Sequence, residues 1–96
     1  SEIPEKFLLE QNYPNPFNPE TKIRFQVPAS AETTRWVILL RIYDVSGKEI
    51  STLVNEELKP GTYEINWNAR NMPSGVYFYQ LNTGGFTQTR SMILIK

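Results

Sequence analysis

The chain has 96 residues, carries ten basic and ten acidic side chains for a formal net charge of zero, and contains neither cysteine nor histidine. This length, with 40% hydrophobic residues, is typical of one folded domain spanning residues 1–96 and is too hydrophobic for a disordered tail. The missing residue types exclude disulfides, thiol nucleophiles, classical zinc sites and histidine-dependent triads. The balanced charge and the lack of an apolar run of about 18–20 residues argue against a nucleic-acid partner and a transmembrane segment.

Alternating polar and apolar residues predict an all-β domain, and no segment shows a helical period. In chain order, the predicted strands cover residues 7–11, 21–27, 36–43, 49–54, 62–67, 76–82 and 86–95. Residues 21–27 and 62–67 alternate strictly, which indicates half-buried strands with one face on a core. Residues 36–43 are almost continuously apolar, which predicts a central strand covered on both faces.

The segment at residues 12–19 contains three prolines and three asparagines. Because proline fixes φ and restricts the residue before it, this segment can form neither a helix nor a central strand. We expect the asparagine side chains to bond nearby backbone groups, and Tyr13 and Phe17 to anchor the segment over the open end of the core. The alternative is a docking surface, since extended proline-rich segments bind aromatic grooves.

Turn residues separate the remaining strands. Asp44 precedes Gly47 in a four-residue turn, where glycine tolerates positive φ and the carboxylate can accept backbone hydrogen bonds. Further turns are marked at residues 60–61, 73–75 and 84–85. Strands at this spacing predict an immunoglobulin-like β-sandwich of about seven antiparallel strands, held by packing alone because the usual disulfide is absent.

No group of residues suits catalysis or metal binding. Glu56 and Glu57 are adjacent, so on a strand they point to opposite faces and cannot face each other across a cleft. Ser46 and Lys48 flank a turn glycine, and nothing indicates that this lysine is desolvated. Asp44 is the only aspartate and has no further oxygen ligands at calcium-loop spacing. The sequence therefore predicts neither an enzyme nor a cofactor.

The last predicted strand ends in an apolar run at residues 92–95, followed by Lys96. Such a strand can belong to the core, which is the simpler interpretation. It can also be captured by a partner through edge addition, with the terminal carboxylate as a further contact.

Several motifs follow one another in order along the chain. They lie at residues 9–19 (LEQNYPNPFNP), 21–23 (TKI), 27–28 (VP), 42–48 (IYDVSGK), 60–63 (PGTY) with Trp67, 72–79 (MPSGVYFY) and 90–96 (RSMILIK). Together they resemble the type A C-terminal sorting domain of proteins that the type IX secretion system of Bacteroidetes exports. The resemblance implies an immunoglobulin-like sandwich at the C-terminal end of a larger secreted protein, and the start at Ser1 is expected for a fragment of one.

The resemblance also implies partners. The parent would reach the periplasm through its own N-terminal signal, and the type IX machinery with its outer-membrane translocon would carry it to the cell surface or the medium. In the family, a sortase-like cysteine peptidase commonly cuts in the linker before the domain, and the cargo is often joined to surface lipopolysaccharide. The expected partners are therefore this machinery, that peptidase and an N-terminal cargo domain.

Site residues follow from the same resemblance. Those expected to be recognised by the translocon are Arg90, Met92, Ile93, Leu94, Ile95 and Lys96, together with Gly75, Val76, Tyr77 and Tyr79. Those expected to shape the fold are Asn15, Pro16, Phe17, Asn18, Pro19, Asp44 and Gly47. Two features depart from the family pattern. Arg90 is followed by Ser91 where many members have a basic pair; if that pair contacts the translocon, recognition would be weaker here or would shift to Lys96. The loop at residues 29–35 is slightly long.

A second function remains open from the sequence. Related immunoglobulin-like folds serve as accessory spacers or carbohydrate-binding modules of secreted hydrolases. The aromatic residues that could form a sugar-stacking platform are Trp36, Tyr63, Trp67, Tyr77 and Tyr79. In a small domain such rings are usually part of the core, so a platform would need at least two of them exposed side by side.

Overall fold

The computed structural model describes residues 4–30 and 35–96, and within these ranges the chain forms seven strands and no helix. The strands are β1 (Leu8–Leu9), β2 (Glu20–Val27), β3 (Trp36–Tyr43), β4 (Glu49–Leu58), β5 (Gly61–Asn68), β6 (Gly75–Thr83) and β7 (Phe86–Leu94). They build a three-stranded sheet in the order β1-β2-β5 and a four-stranded sheet in the order β4-β3-β6-β7, with all pairs antiparallel. The predicted all-β sandwich of about seven antiparallel strands is confirmed.

The core fills the space between the two sheets. Its buried apolar side chains are Leu9, Phe17, Ile23, Phe25, Val27, Ile38, Leu40, Ile42, Val54, Trp67, Ala69, Tyr77, Tyr79, Leu81, Met92 and Leu94. Because successive side chains of a strand point to opposite faces, β2 and β6 each bury alternate residues and expose or half-expose those between them. For β2 this alternation is the pattern that the sequence predicts.

Strand β3 lies between β4 and β6 inside its sheet, but the prediction that both of its faces are covered is wrong. The inner side chains of Ile38, Leu40 and Ile42 are fully buried, whereas Val37 on the outer face is 59% exposed. In the described part of the chain, no second layer packs on this outer face, so its residues are covered only by side chains of the neighbouring strands. The apolar run therefore reflects the β-propensity of these residues as well as their burial.

Two element boundaries differ from the predictions. Strand β4 continues four residues beyond the predicted end, because it is an edge strand on which Glu56 and Glu57 remain exposed to water. The first predicted strand shortens to Leu8–Leu9, and beyond it the chain keeps only separate backbone bonds to β2, from Glu10 to Arg24 and between Tyr13 and Lys22. Part of the loop predicted to be long, residues 31–34, lies outside the described residues.

The turn between β3 and β4 is closed by Asp44. Its Oδ1 accepts hydrogen bonds from the Ser46 hydroxyl (2.6 Å), the Ser46 N–H (2.9 Å) and the Lys48 N–H (3.1 Å). The bond from the Ser46 hydroxyl is the largest of several causes that lower the pKa of Asp44 below its ordinary value. Gly47 has a φ of 86°, a conformation that side chains other than glycine rarely adopt.

Candidate recognition surface at the terminal strand

Strand β7 is the other edge of the four-stranded sheet, and its last residues alternate between the core and the surface. Met92 and Leu94 are fully buried, whereas Ile93 is 42% and Ile95 is 53% exposed. The core interpretation thus describes only half of the terminal apolar run. The other half is available to a partner of the folded domain.

The exposed isoleucines belong to a group of apolar side chains on the outer face of the sheet. Val76 on β6 is paired with Ile93 in the β6–β7 ladder and is 39% exposed. Val45, in the turn after β3, is also exposed and lines the same shallow groove as Val76. By strand alternation, Ile95 shares the face of Ile93. We call Val45, Val76, Ile93 and Ile95 the outer apolar patch.

Most other residues of the expected recognition set make contacts within the domain. Tyr77 and Tyr79 point into the core, while Gly75 is exposed at the start of β6. Arg90 is half-buried, and its Nε donates a hydrogen bond to the backbone oxygen of Leu9 at 2.6 Å. This guanidinium group therefore fastens β7 to the first strand of the opposite sheet.

The C-terminal residue is tied to the loop that precedes β6. The Lys96 backbone N–H donates to Ser74 Oγ at 3.0 Å, and its ammonium group donates to the backbone oxygen of Arg70. Both bonds are exposed to solvent. Lys96 thus lies beside the outer apolar patch with its ammonium group already engaged.

The proline-rich segment closes the end of the sandwich at which β7 ends. The Phe17 ring is buried and lies 5.8 Å from the Trp67 ring, which in turn meets Tyr77 edge-on at 5.6 Å. Tyr13, by contrast, is 78% exposed, so the prediction that it anchors the segment is wrong. Tyr13 exchanges two backbone hydrogen bonds with Lys22 and extends the edge of β2, which turns its side chain away from the core.

The remaining predicted residues of this segment differ in what they contact. Asn15 is exposed, and its Oδ1 accepts a hydrogen bond from the Ile93 N–H at 2.9 Å. Pro16 and Asn18 are exposed, whereas half-buried Pro19 accepts a backbone bond from Ala69. Asn15 is therefore the residue that links the segment's exposed middle to the terminal strand.

Behind this segment lies a buried polar cluster that was not predicted from the sequence. The Tyr79 hydroxyl donates to the backbone oxygen of Glu10 (2.7 Å) and accepts from the Asn12 N–H (2.8 Å). The Asn12 side chain donates to Thr21 Oγ1 (2.9 Å) and to the backbone oxygen of Pro14 (3.1 Å). Burial raises the pKa of Tyr79 to about 12. The available signal was a tyrosine on a core-facing position, since a buried hydroxyl usually needs a partner.

The five rings of the proposed sugar platform do not form an exposed pair. Trp67, Tyr77 and Tyr79 are buried. Trp36 is half-buried against Phe7 at 4.9 Å, and Tyr63 is half-buried and stacked on Phe25 at 5.5 Å. No observation on the described residues therefore favours a carbohydrate-binding function.

Within the described ranges, no three acidic side chains come together to hold a metal ion, and no helix could cross a membrane. A comparison with curated proteins gave no match. The family model for the secretion system C-terminal sorting domain matches residues 11–96, a span that contains the proline-rich segment and the outer apolar patch. The chain therefore belongs to the family of C-terminal sorting domains of the type IX secretion system.

Proposed function

We propose that this domain works as a folded sorting signal, and that the type IX machinery reads it through the outer apolar patch. Family membership supports the sorting role. The grouping of Val45, Val76, Ile93 and Ile95 at one end of one sheet supports the location, since exposed apolar residues that cluster often mark an interaction site. This grouping is the observation that carries the proposal.

The patch is suited to recognition because it is held rigidly. Met92 and Leu94 fix the strand from the core side, while Val76 and Ile93 project from a continuous ladder. A partner that buries these side chains gains about 25 cal/mol per Å² of apolar surface removed from water and orders few groups of the domain in doing so. Buried members of the expected recognition set would act indirectly, by presenting the patch.

The position of the N-terminal residues supports a cargo attached away from the patch. Pro4 accepts a backbone bond from Ala29, and Phe7 packs against Trp36 and Phe86, all at the end of the sandwich opposite Ile95. The domain is elongated, with extents of 44 × 27 × 16 Å. A cargo joined there would leave the patch free during transit through the periplasm, and a sortase-like peptidase would cut on this N-terminal side.

The test is export of a periplasm-directed fluorescent reporter fused in front of the 96 residues, in a bacterium with a type IX system. The test variant is Val76→Thr combined with Ile93→Thr, which removes apolar surface and keeps β-branched residues on the strands. The matched control is Val37→Thr, an exposed valine at the opposite end of the same sheet. Deleting residues 92–96 is less informative because Met92 and Leu94 belong to the core.

We expect the unchanged domain and the Val37 control to export the reporter, and the double variant to retain it in the periplasm. Thermal melting of each purified domain must show that all three are folded. Equal export of the double variant would overturn the role of the patch. Failure of the unchanged, folded domain to export the reporter would overturn the sorting function itself.

A further inference from the structure

The outer edge of β7 is occupied by the segment of residues 11–17, which we call the edge cover. Phe17 donates its backbone N–H to the oxygen of Ile93 (2.9 Å) and accepts from the Ile95 N–H (3.0 Å). These bonds form a parallel bridge opposite Leu94. An edge strand with free N–H and C=O groups is a template for a further strand, so the cover blocks strand addition to β7.

Most of the cover bonds to β7 through side chains rather than through a ladder of backbone hydrogen bonds. Gln11 Nε2 donates to the oxygen of Ser91 (2.7 Å), and Asn15 Oδ1 accepts from the Ile93 N–H (2.9 Å). Pro14 and Pro16 have no N–H and cannot donate ladder bonds. The cover therefore protects the edge with fewer backbone hydrogen bonds than a regular strand would form.

The cover is anchored on one side by the backbone of residues 12–14, which bonds to β2 and to the Tyr79 hydroxyl, and on the other side by Phe17. Asn12 is buried and bonded to the Tyr79 hydroxyl, and Phe17 is buried against Trp67. Residues 13–16 are exposed, and among the described residues their link to β7 is the carboxamide of Asn15. Release of Phe17 would free the backbone oxygen of Ile93 and the N–H of Ile95, and release of Asn15 would free the Ile93 N–H. Neither step breaks the hydrogen bonds between β7 and β6.

We propose that the β7 edge is a strand-addition site and that the edge cover is its intramolecular blocker. The partner that fits is an extended segment that runs parallel to β7 and places an aromatic side chain in the position of Phe17. Such a segment reproduces the contacts of the cover and adds the backbone hydrogen bonds that prolines cannot make. This proposal concerns the domain alone and holds or fails independently of export.

The first measurement is native-state hydrogen exchange on the whole chain. The Ile93 and Ile95 amides, bonded to the cover, should exchange through a local opening, faster than the Met92 and Leu94 amides, which face β6. Asn15→Ala should speed exchange at Ile93 by roughly fivefold to tenfold, the effect of losing one hydrogen bond. The matched control is Asn18→Ala, because Asn18 is an exposed asparagine of the same proline-rich segment and should leave these rates unchanged.

The second measurement adds a synthetic peptide of residues 11–19 to the Asn15→Ala domain. We expect an excess of this peptide to slow exchange at Ile93 and Ile95, whereas a peptide with alanine in place of its phenylalanine should have no effect. If the amides of residues 92–95 all exchange with the same opening free energy, the cover leaves β7 only when the whole domain unfolds. Local opening without protection by the phenylalanine peptide would show that the edge does not accept a strand. Either result overturns the proposal.

Discussion

The Tyr79 hydroxyl joins strand β6 to the backbone of the N-terminal segment, so Tyr79→Phe should destabilise the domain more than a conservative change usually does. The substitution keeps the ring in the core but removes the donor to Glu10 and the acceptor for Asn12. The Asn12 backbone is buried, and no water can replace the lost acceptor without opening the core. The two backbone groups are then left with unmet hydrogen bonds.

The expected loss follows from the two bonds. An unsatisfied buried N–H costs about 1–3 kcal/mol, and the half-buried Glu10 oxygen adds about 0.5–1.5 kcal/mol. The free energy of unfolding should therefore fall by about 1.5–4.5 kcal/mol. For a domain of this size, that corresponds to a decrease in Tm of roughly 6–36 °C.

The assay is urea unfolding followed by tryptophan fluorescence, with the slope m checked for constancy. Tyr77→Phe is the matched control, because Tyr77 lies two residues away on the same face and its hydroxyl donates at 2.5 Å to the oxygen of Pro73, an exposed residue four positions away. That oxygen can bond to water instead, so the control should lose about 1 kcal/mol or less. If the losses of unfolding free energy in the two variants agree within about 0.5 kcal/mol, the reasoning is refuted.

Three further predictions concern the core, the alkaline range and the β3–β4 turn. Trp67→Ala should lower the free energy of unfolding by about 3–5 kcal/mol because the indole is buried, whereas Tyr13→Ala should have little effect because Tyr13 is exposed. Similar shifts in thermal melting for the two variants would contradict the assigned burial. Burial holds the pKa of Tyr79 at about 12, above its ordinary value of 10.0, so the free energy of unfolding should fall as pH rises from about 10 to about 12. Tyr79→Phe should lose clearly less over this range, and an equal loss would contradict the assignment. Ionised Asp44 stabilises the turn above about pH 4, so the difference in unfolding free energy between wild type and Asp44→Ala should narrow as pH falls through the lowered pKa of Asp44. A difference that stays constant with pH would contradict this role of the carboxylate.

The strands and their inward faces could be predicted because both depend on local spacing. Alternation in β2 and β6 identifies the buried residues without knowledge of which strand lies beside which. The same reasoning failed at β3, where an apolar run has no period that distinguishes a covered outer face from an open one. It also failed at Tyr13, because proline-rich backbone has no fixed alternation from which a side-chain direction can be read.

The candidate site could be located from the sequence but not resolved into its parts. The terminal run, Val76 and the motifs predicted a site at the end of the domain where the outer apolar patch lies. Tertiary structure was needed to divide the run into core residues and the outer apolar patch, and to place Val45 beside Val76. The interpretation of Arg90 changed most, from a recognition residue to a contact between the two sheets. Its hydrogen bond to the Leu9 oxygen joins residues 81 positions apart, so no local pattern in the sequence indicates it.

The sequence by itself determined an all-β domain, the positions of its turns and its membership of the sorting-domain family, since each depends on residues that are close in the chain or on motifs in order. Tertiary structure alone decided what lies on the edge of β7 and what the Tyr79 hydroxyl binds. The physical reason is distance along the chain: Asn15 and Ile93 are 78 residues apart, and Asn12 and Tyr79 are 67 apart. Neither hydrogen bond leaves a local pattern, because each forms only when the first and last segments of the chain meet in the folded sandwich.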